Sequence, residues 1–334
     1  MRVLVTGGAG FIGSHLVDAL IEAGHEVRIF DDHSTGSPLS LVHAHLSGAR
    51  THVGSVRSAS DVHDAFDKFK PEVVYHLAAQ IDVRVSADDP GHDAQVNVIG
   101  TVNVLEACRL HGVRRFVLAS SAAVYGHRSA PVDLTTPYMP ISPYGASKAA
   151  AEAYALTYGR MATLAGVAAA DPARAITDGL RTSTVIFSNV YGPRQREDFG
   201  AVNIFARKAL SGELVTLYGD GGNVRDYVHV ADAVRTLMWA GGCQASANPR
   251  RMIPERVMCG TGVGTSDADL WKLVCRVVGE VTGREILPLE MAEFAPARPA
   301  DIRSMVFAHE SIGRTPLDVG VRMLVEELCK EGVR

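Results

Sequence analysis

No stretch of the sequence approaches the ~18–20 consecutive apolar residues that span a bilayer, so a helical membrane protein is excluded. An excess of one charge is also missing. With 33 Lys and Arg against 37 Asp and Glu, the formal net charge is only -4, and nothing electrostatic invites a nucleic acid or an anionic membrane as partner. Cysteine is scarce: Cys108, Cys243, Cys259, Cys275 and Cys329 are odd in number, widely spaced and free of any CxxC. That usage fits reduced thiols in a cytoplasmic protein. The histidines are scattered without HExxH or paired Cys/His spacing, so no metal is expected. Internal repeats are lacking, and MRVLVTGG leads straight into a strand-and-glycine pattern where a signal peptide would carry a long apolar stretch. What the 334 residues do contain is 47% hydrophobic and 21% charged side chains. This is enough for a sizeable core and for about two domains of ~150 residues, which makes a soluble enzyme the leading class.

Short β-branched runs alternate with helical spacing through the first 120 residues. Strands are expected at 2–6, 26–30, 50–53, 73–77 and 115–120, with helices at 11–23, 59–69 and 93–111. Unbroken apolar strands between amphipathic helices mark a parallel sheet covered on both faces. The fold class is therefore α/β, a Rossmann-type doubly wound parallel sheet with a smaller, mixed α/β C-terminal substrate domain. The dinucleotide domain is placed at 1–182, with a return of the chain around 226–262, and the substrate domain at 183–225 and 263–334. A helix is expected at 144–158. The alanine-rich MATLAGVAAADPARAITDG after it reads as an insertion or loop before a strand at 183–187.

Thr6-Gly7-Gly8-Ala9-Gly10-Phe11-Ile12-Gly13 sets Gly7, Gly10 and Gly13 between the first strand and the first helix. Glycines at that spacing let the backbone turn and approach a pyrophosphate, whose charge the helix N-terminus stabilises. Asp31, ending the second strand, suits both ribose hydroxyls of an adenosine and repels the extra phosphate of NADP. NAD is the cofactor expected.

Tyr144-Gly145-Ala146-Ser147-Lys148 places a phenol and an ammonium one helical turn apart. A phenol with an ordinary pKa near ~10 is a poor base at neutral pH. A lysine ammonium and a cationic nicotinamide would favour its ionised form, so that it can take a proton from a sugar hydroxyl. Ser121, in SSAAVYG at the end of an apolar strand, sits at the sheet's carboxyl edge, where such folds bind ligands. Its hydroxyl could bridge substrate and tyrosine.

These pieces, with HLAAQ at 76–80, NVIGT at 97–101, SNVYGPRQ at 188–195, GDGGNVRDYVHVAD at 219–232 and RPAD at 298–301, resemble the extended short-chain dehydrogenase/reductase family. The likeness lies in its NAD-dependent nucleotide-sugar epimerase/dehydratase branch, nearest UDP-glucose 4-epimerase-like members, and it runs over essentially the whole chain. It implies Ser121, Tyr144 and Lys148 as catalytic residues. It implies NAD held by Gly7, Gly10, Phe11, Ile12, Gly13, Asp31, Asp32, Ser34, Thr35, Gly36, Ser55, Val56, Leu77, Ala78, Ala79, Gln80, Asn97, Ser120, Tyr144 and Lys148. Substrate contacts fall to Ser86, Ser121, Ala122, Tyr144, Asn189, Arg196, Arg225, Arg298 and Asp301. Arg225 and Arg298 would hold the pyrophosphate, with surface salt bridges as the plainer alternative. The implied partner is a nucleotide-diphosphate sugar, a UDP-sugar first, and the implied assembly is a homodimer packed through helices 93–111 and 144–159.

Family members that dehydrate carry an acidic pair after the serine, and decarboxylating members commonly a glutamate. This chain has Ala122 and Ala123, and neither can move a proton. The reading is 4-epimerisation of the UDP-glucose/UDP-galactose type through a transient 4-keto sugar. A UDP-glucuronate 4-epimerase stands as the alternative if Arg196 recognises a C6 carboxylate. A dehydratase or reductase is a further alternative, and an NAD-sensing scaffold is the non-enzyme one. Met305 falls where the resemblance places the residue that sets pocket size. Three departures stand out: Ser55 where an acid usually follows Gly54, Ile186 where an arginine is common, and the 160–178 stretch, which has no counterpart.

Overall fold

The computed structural model describes residues 1–168, 179–244, 253–288, 292–296, 303–308 and 314–333. The chain opens with β1 (Arg2–Thr6), α1 (Phe11–Glu22), β2 (Glu26–Asp31), α2 (Val42–Leu46), β3 (Arg50–Val53), α3 (Ala59–Phe69) and β4 (Val73–His76). It continues through α4 (Val83–Asp88), α5 (Pro90–Ala94), α6 (Gly100–Leu110), β5 (Arg115–Ser121), α7 (Pro143–Ala168) and β6 (Arg181–Phe187). Then follow β7 (Asn189–Tyr191), α8 (Ala201–Ser211), β8 (Val215–Tyr218), β9 (Val224–His229), α9 (Val230–Gly241) and β10 (Arg256–Cys259). The last elements are β11 (Gly264–Ser266), α10 (Asp267–Thr282), β12 (Ala292–Ala295), β13 (Ser304–Met305) and α11 (Leu317–Lys330). Among the described residues, no helix is long and apolar enough to cross a membrane.

Seven strands form one sheet in the order β10-β6-β5-β4-β1-β2-β3. The pairs β2·β3, β1·β2, β1·β4 and β4·β5 are all parallel. Val3, Leu4 and Val5 of β1 and Val73, Val74 and Tyr75 of β4 are buried whichever face they point to, which explains why these strands are apolar without alternation. Chain order reverses between β1 and β4, and that switch point is where doubly wound sheets open a crevice at the strands' carboxyl ends. Local chemistry sets the element ends. Helix α1 stops where Gly24 takes φ +79°, its N–H bonding to Ile21 O while His25 N–H reaches Leu20 O. Ser58 caps α3 by accepting from Asp61 N–H at 3.2 Å.

The chain divides into two compact units: Met1–Val124, Tyr138–Ile186 and Val234–Val257 in the first, and Tyr125–Pro137, Phe187–Ala233 and Met258–Arg334 in the second. These bounds differ from the sequence expectation. Strand β6 lies in the first unit because it hydrogen-bonds within the large sheet beside β5. Residues 125–137 join the second unit, where Val132 bridges Phe307. The return segment is 234–257 in place of 226–262.

Two helical expectations change as well. The helix expected over 93–111 is interrupted by a π-turn at Gln95–Ile99. Helix α7 runs to Ala168, so the alanine-rich stretch begins as helix and not as a loop. Alanine has the highest helix propensity, and a run of it needs no amphipathic period to continue a helix already nucleated. Residues 169–178 of that stretch lie outside the described residues.

The second unit is built on β9, which pairs antiparallel with β11 and parallel with β13 and β7. Its core gathers α8, α10 and α11 around Trp271, whose ring meets Phe205 edge-on at 5.6 Å and whose Nε1–H donates to Pro288 O at 2.8 Å.

Candidate active site

The first half of the site is a backbone cradle at the carboxyl end of β1. Gly7 adopts φ +70°, and a Cβ there would lie 2.5 Å from Ala78 N. A Cβ on Gly13 would collide with Gly7 O. The loop and the start of α1 thus touch as only glycines allow, leaving the helix N-terminus open to a pyrophosphate. Asp31 is buried, its Oδ2 accepting from Ala9 N–H at 2.9 Å and its Oδ1 from His33 N–H at 2.8 Å. The carboxylate is held beside the glycine loop with lone pairs left for ribose hydroxyls. Asp32 accepts from Ser34 N–H at 3.0 Å, and Ser34, Ser55 and Arg57 together hold its carboxyl below the ordinary range against burial, the largest single influence. Ser37 N–H bonds to Ala9 O at 3.0 Å, which brings Thr35 and Gly36 up to the glycine loop. Leu77 and Ala78 continue β4, their N–H groups bonding to Thr6 O at 3.0 Å and Thr6 Oγ1 at 3.3 Å. At Ser55, where the resemblance expected an acid, the N–H donates to Asp61 Oδ2 at 3.1 Å, so a carboxylate approaches that position from α3. Gly7, Gly10, Gly13, the start of α1 and Asp31 fit a dinucleotide by shape and by donor chemistry.

The second half joins β5, the π-turn and α7. Ser121 closes β5, and its hydroxyl stands near enough to the Tyr144 phenol to favour its ionised form. Ser121 Oγ accepts from Ala123 N–H at 3.2 Å, which orients it. Tyr144 and Lys148 lie one turn apart on α7. Between them in sequence, Ser147 Oγ accepts from Asn97 Nδ2 at 3.0 Å. The π-turn carries Asn97 inward, where its Oδ1 accepts from Gln80 N–H at 2.8 Å and its Nδ2 reaches Gln80 O and Asp93 Oδ1. A π-turn adds one residue to a helical turn and is a frequent device for aiming a side chain at a functional site. Here it locks α7 to the loop following β4. His76 is buried between Thr6 and Thr101, at 2.7 and 3.1 Å, and burial with the nearby Lys148 charge pulls it down to about 3, so it is neutral.

The Tyr144 phenol is pushed up: burial is the main cause, the Ser121 hydroxyl opposes it, and the charged neighbour that adds to the rise is the Asp93 carboxylate. Burial also pulls Lys148 down to about 8, against the upward pull of Glu152 and Asp93. A raised phenol holds its proton more tightly, and positive charge placed beside it favours the phenolate.

The other assigned residues are spread across the two units. Within the first, Ser86 is buried and donates to Val83 O at 2.7 Å, while Ala122 and Val56 are buried. Gln80 Nε2 bonds Asp93 Oδ1 at 2.9 Å, and Ser120 is bonded to Glu152. Within the second, Asn189 Nδ2 donates to Asp226 O at 3.4 Å. Arg225 stands on β9 opposite Thr265 of β11 and Met305 of β13, its Nη1 donating to Val224 O at 3.0 Å. Met305 is buried. Arg196 is already engaged: its fork meets Asp198 at 2.7 and 3.0 Å. Arg298 and Asp301 lie outside the described residues.

Three side chains at the site were not singled out from the sequence. Asp93 is 1% exposed, and its Oδ2 accepts no hydrogen bond among the described residues. Glu152 is fully buried one turn past Lys148, and Arg256 approaches it from β10. The spacing of Glu152 from Lys148 was a usable signal. Nothing local marks Arg256.

A family model described as the NAD dependent epimerase/dehydratase family matches residues 3–252. A UDP-glucose 4-epimerase of Mycolicibacterium smegmatis is 39% identical over 333 residues, covering 98% of each chain. Among solved structures, the UDP-glucose 4-epimerase of Thermotoga maritima with UDP-glucose aligns with TM-score 0.84 at 33% identity, over 99% of both chains. That of Thermus thermophilus in complex with NAD aligns with TM-score 0.82 at 35% identity, over 98% of this chain and 99% of the other. A glycine cradle at the switch point, an acidic end to β2, and a serine, tyrosine and lysine gathered at the end of β5 are what a nicotinamide-dependent enzyme of this kind requires, and the chain belongs to the NAD-dependent epimerase/dehydratase family.

Proposed function

We propose that the protein interconverts UDP-glucose and UDP-galactose by NAD-dependent 4-epimerisation. The observation that carries this reading is the Ser121 hydroxyl near the Tyr144 phenol, with Lys148 one turn on and no carboxylate in the two positions after Ser121, Ala122 and Ala123. A site that only oxidises and re-reduces one carbinol needs a proton shuttle and nothing more. Elimination of water would need a second acid and base. Bound NAD supplies the hydride acceptor, the returning hydride, and the positive ring that favours the phenolate. Tyr144 then takes the O4 proton, Ser121 holds that oxygen, and Lys148 anchors the phenol's side of the site. The nucleotide diphosphate is assigned to Asn189, Arg225, Arg298 and Asp301, so that the sugar can present either face while the nucleotide stays bound.

The UDP-glucuronate alternative stands beside it, since Arg196 pairs with Asp198 in an exposed contact that a ligand carboxylate can replace. A homodimer through the outer faces of α6 and α7 is supported by the exposed Leu110, Tyr154 and Met161. A reducing, cytoplasmic setting is supported by five free cysteines.

Incubation of the purified protein with UDP-glucose, UDP-glucuronate and TDP-glucose separately, read by proton NMR, tests the reading. The expected product is UDP-galactose from the first, at a rate well above that with the second. A 4-keto-6-deoxy sugar from any of the three would overturn it.

A further inference from the structure

Glu152 has no exposed surface, yet it carries a carboxyl group. Ser120 Oγ donates to its Oε1 and the Tyr138 hydroxyl to its Oε2. Arg256 brings its Nε to 3.7 Å from Oε2, donates from Nη2 to the Tyr138 hydroxyl, and lays its guanidinium over the Tyr138 ring at 5.1 Å. All four residues belong to the first unit. A buried carboxylate persists only where donors and opposite charge replace its lost hydration. Two hydroxyls and a guanidinium do this on one side, and the Lys148 ammonium lies one turn back along α7. The carboxylate therefore joins Ser120, beside Ser121 on β5, to Tyr138 and to a cation from β10, and it stands on α7 one turn from Lys148. Position 186 on β6, where an arginine was expected, is a buried isoleucine, and the guanidinium comes from the adjoining strand instead.

We propose that Glu152 is a positioning residue of this site. Its carboxylate, clamped by Ser120, Tyr138 and Arg256, ties α7 to the strand end that carries Ser121 and sets a negative charge one helical turn from the Lys148 ammonium. The proposal rests on the reading of Ser121, Tyr144 and Lys148 as the reacting set.

The charges acting on Lys148 are Glu152 on its own helix and Asp93 on α5, with His76 of β4 neutral beside it. Burial is the largest influence on Glu152 and pushes its carboxyl up, while the Ser120 and Tyr138 hydroxyls and then Arg256 and Lys148 act against it. Burial drives the lysine towards its neutral form and both carboxylates oppose that. Without the Glu152 charge only Asp93 remains against desolvation, so the lysine must lose its proton at lower pH.

The test follows Lys148 in full-length protein whose lysines carry 13C at Cε, with the resonance assigned by its loss in Lys148→Arg. The Lys148 midpoint is expected to be lower in Glu152→Gln than in the wild type. In epimerisation assays kcat should fall by roughly ten- to a hundredfold with KM little changed, as for a misplaced reacting group. The alkaline limb of the kcat profile should move to lower pH with the NMR midpoint. Arg256→Met leaves Glu152 without its cation and should shift both readouts the same way by less; if Glu152→Gln fails to fold, this variant decides. Unchanged midpoint and unchanged pH limb in a variant with wild-type melting behaviour would overturn the proposal. The NMR readout needs no substrate, so a protein inactive on UDP-glucose whose Lys148 midpoint still moves contradicts the proposed function and not the role of Glu152.

Discussion

Tyr144→Phe is expected to lower kcat by about 10²- to 10⁴-fold, the span typical for loss of a positioned acid–base group. The substitution removes one oxygen and leaves the half-buried ring in place. NAD should therefore remain bound, because the glycine cradle and Asp31 lie on other elements. The check pairs a turnover assay with a measure of retained nucleotide. A variant with wild-type turnover would remove the phenol from the mechanism. Loss of nucleotide together with activity would mean that the ring, and not the proton shuttle, is what the site needs. The result matters because burial and the Asp93 carboxylate push the phenol up, whereas the positive nicotinamide ring of bound NAD favours the phenolate.

Gly13→Ala should damage both stability and nucleotide binding. The new Cβ would run into Gly7 O, a backbone atom that cannot rotate away, and Gly7 itself is held at φ +70° against Ala78. Overpacking of this kind costs about 1–3 kcal/mol, and in a domain of this size each kcal/mol lowers Tm by roughly 2–4 °C. The larger consequence is for binding, since relief of the clash pushes α1 off the loop that must meet the pyrophosphate. The variant is expected to purify without NAD and to melt several degrees lower. Gly24→Ala is the control. It also has positive φ, +79°, but nothing lies within 4 Å of the added Cβ, so it should cost stability and keep the nucleotide. Equal loss of NAD in both variants would contradict the role given to the cradle.

What the sequence made legible was local. The glycine spacing, the acid ending β2 and the one-turn separation of Tyr144 from Lys148 are each constraints written within a few residues, and the structure places them as the spacing implied. The alternation of apolar strands and helices likewise pointed to the doubly wound sheet. What escaped depends on burial and on distant parts of the chain. Asp93 reads as one of several acids in a helix until the π-turn turns its neighbour Asn97 inward. Arg256 has no meaning until β10 is laid beside β6. That burial pushes the Tyr144 phenol up was not legible, because desolvation is not visible in a sequence. The alanine run misled in the opposite way, since it lacks a period yet has every propensity to stay helical. Arg196 looked like a spare cation, although the carboxylate that occupies it stands only two residues away.

The most direct test uses UDP-glucose carrying deuterium at C4, turned over in ordinary water with the product examined by NMR. If the C4 hydrogen leaves and returns as hydride within one site, while the Tyr144 proton shuttles only on oxygen, UDP-galactose must keep its deuterium at C4. Replacement of that deuterium by solvent hydrogen would mean deprotonation at carbon and would contradict the account.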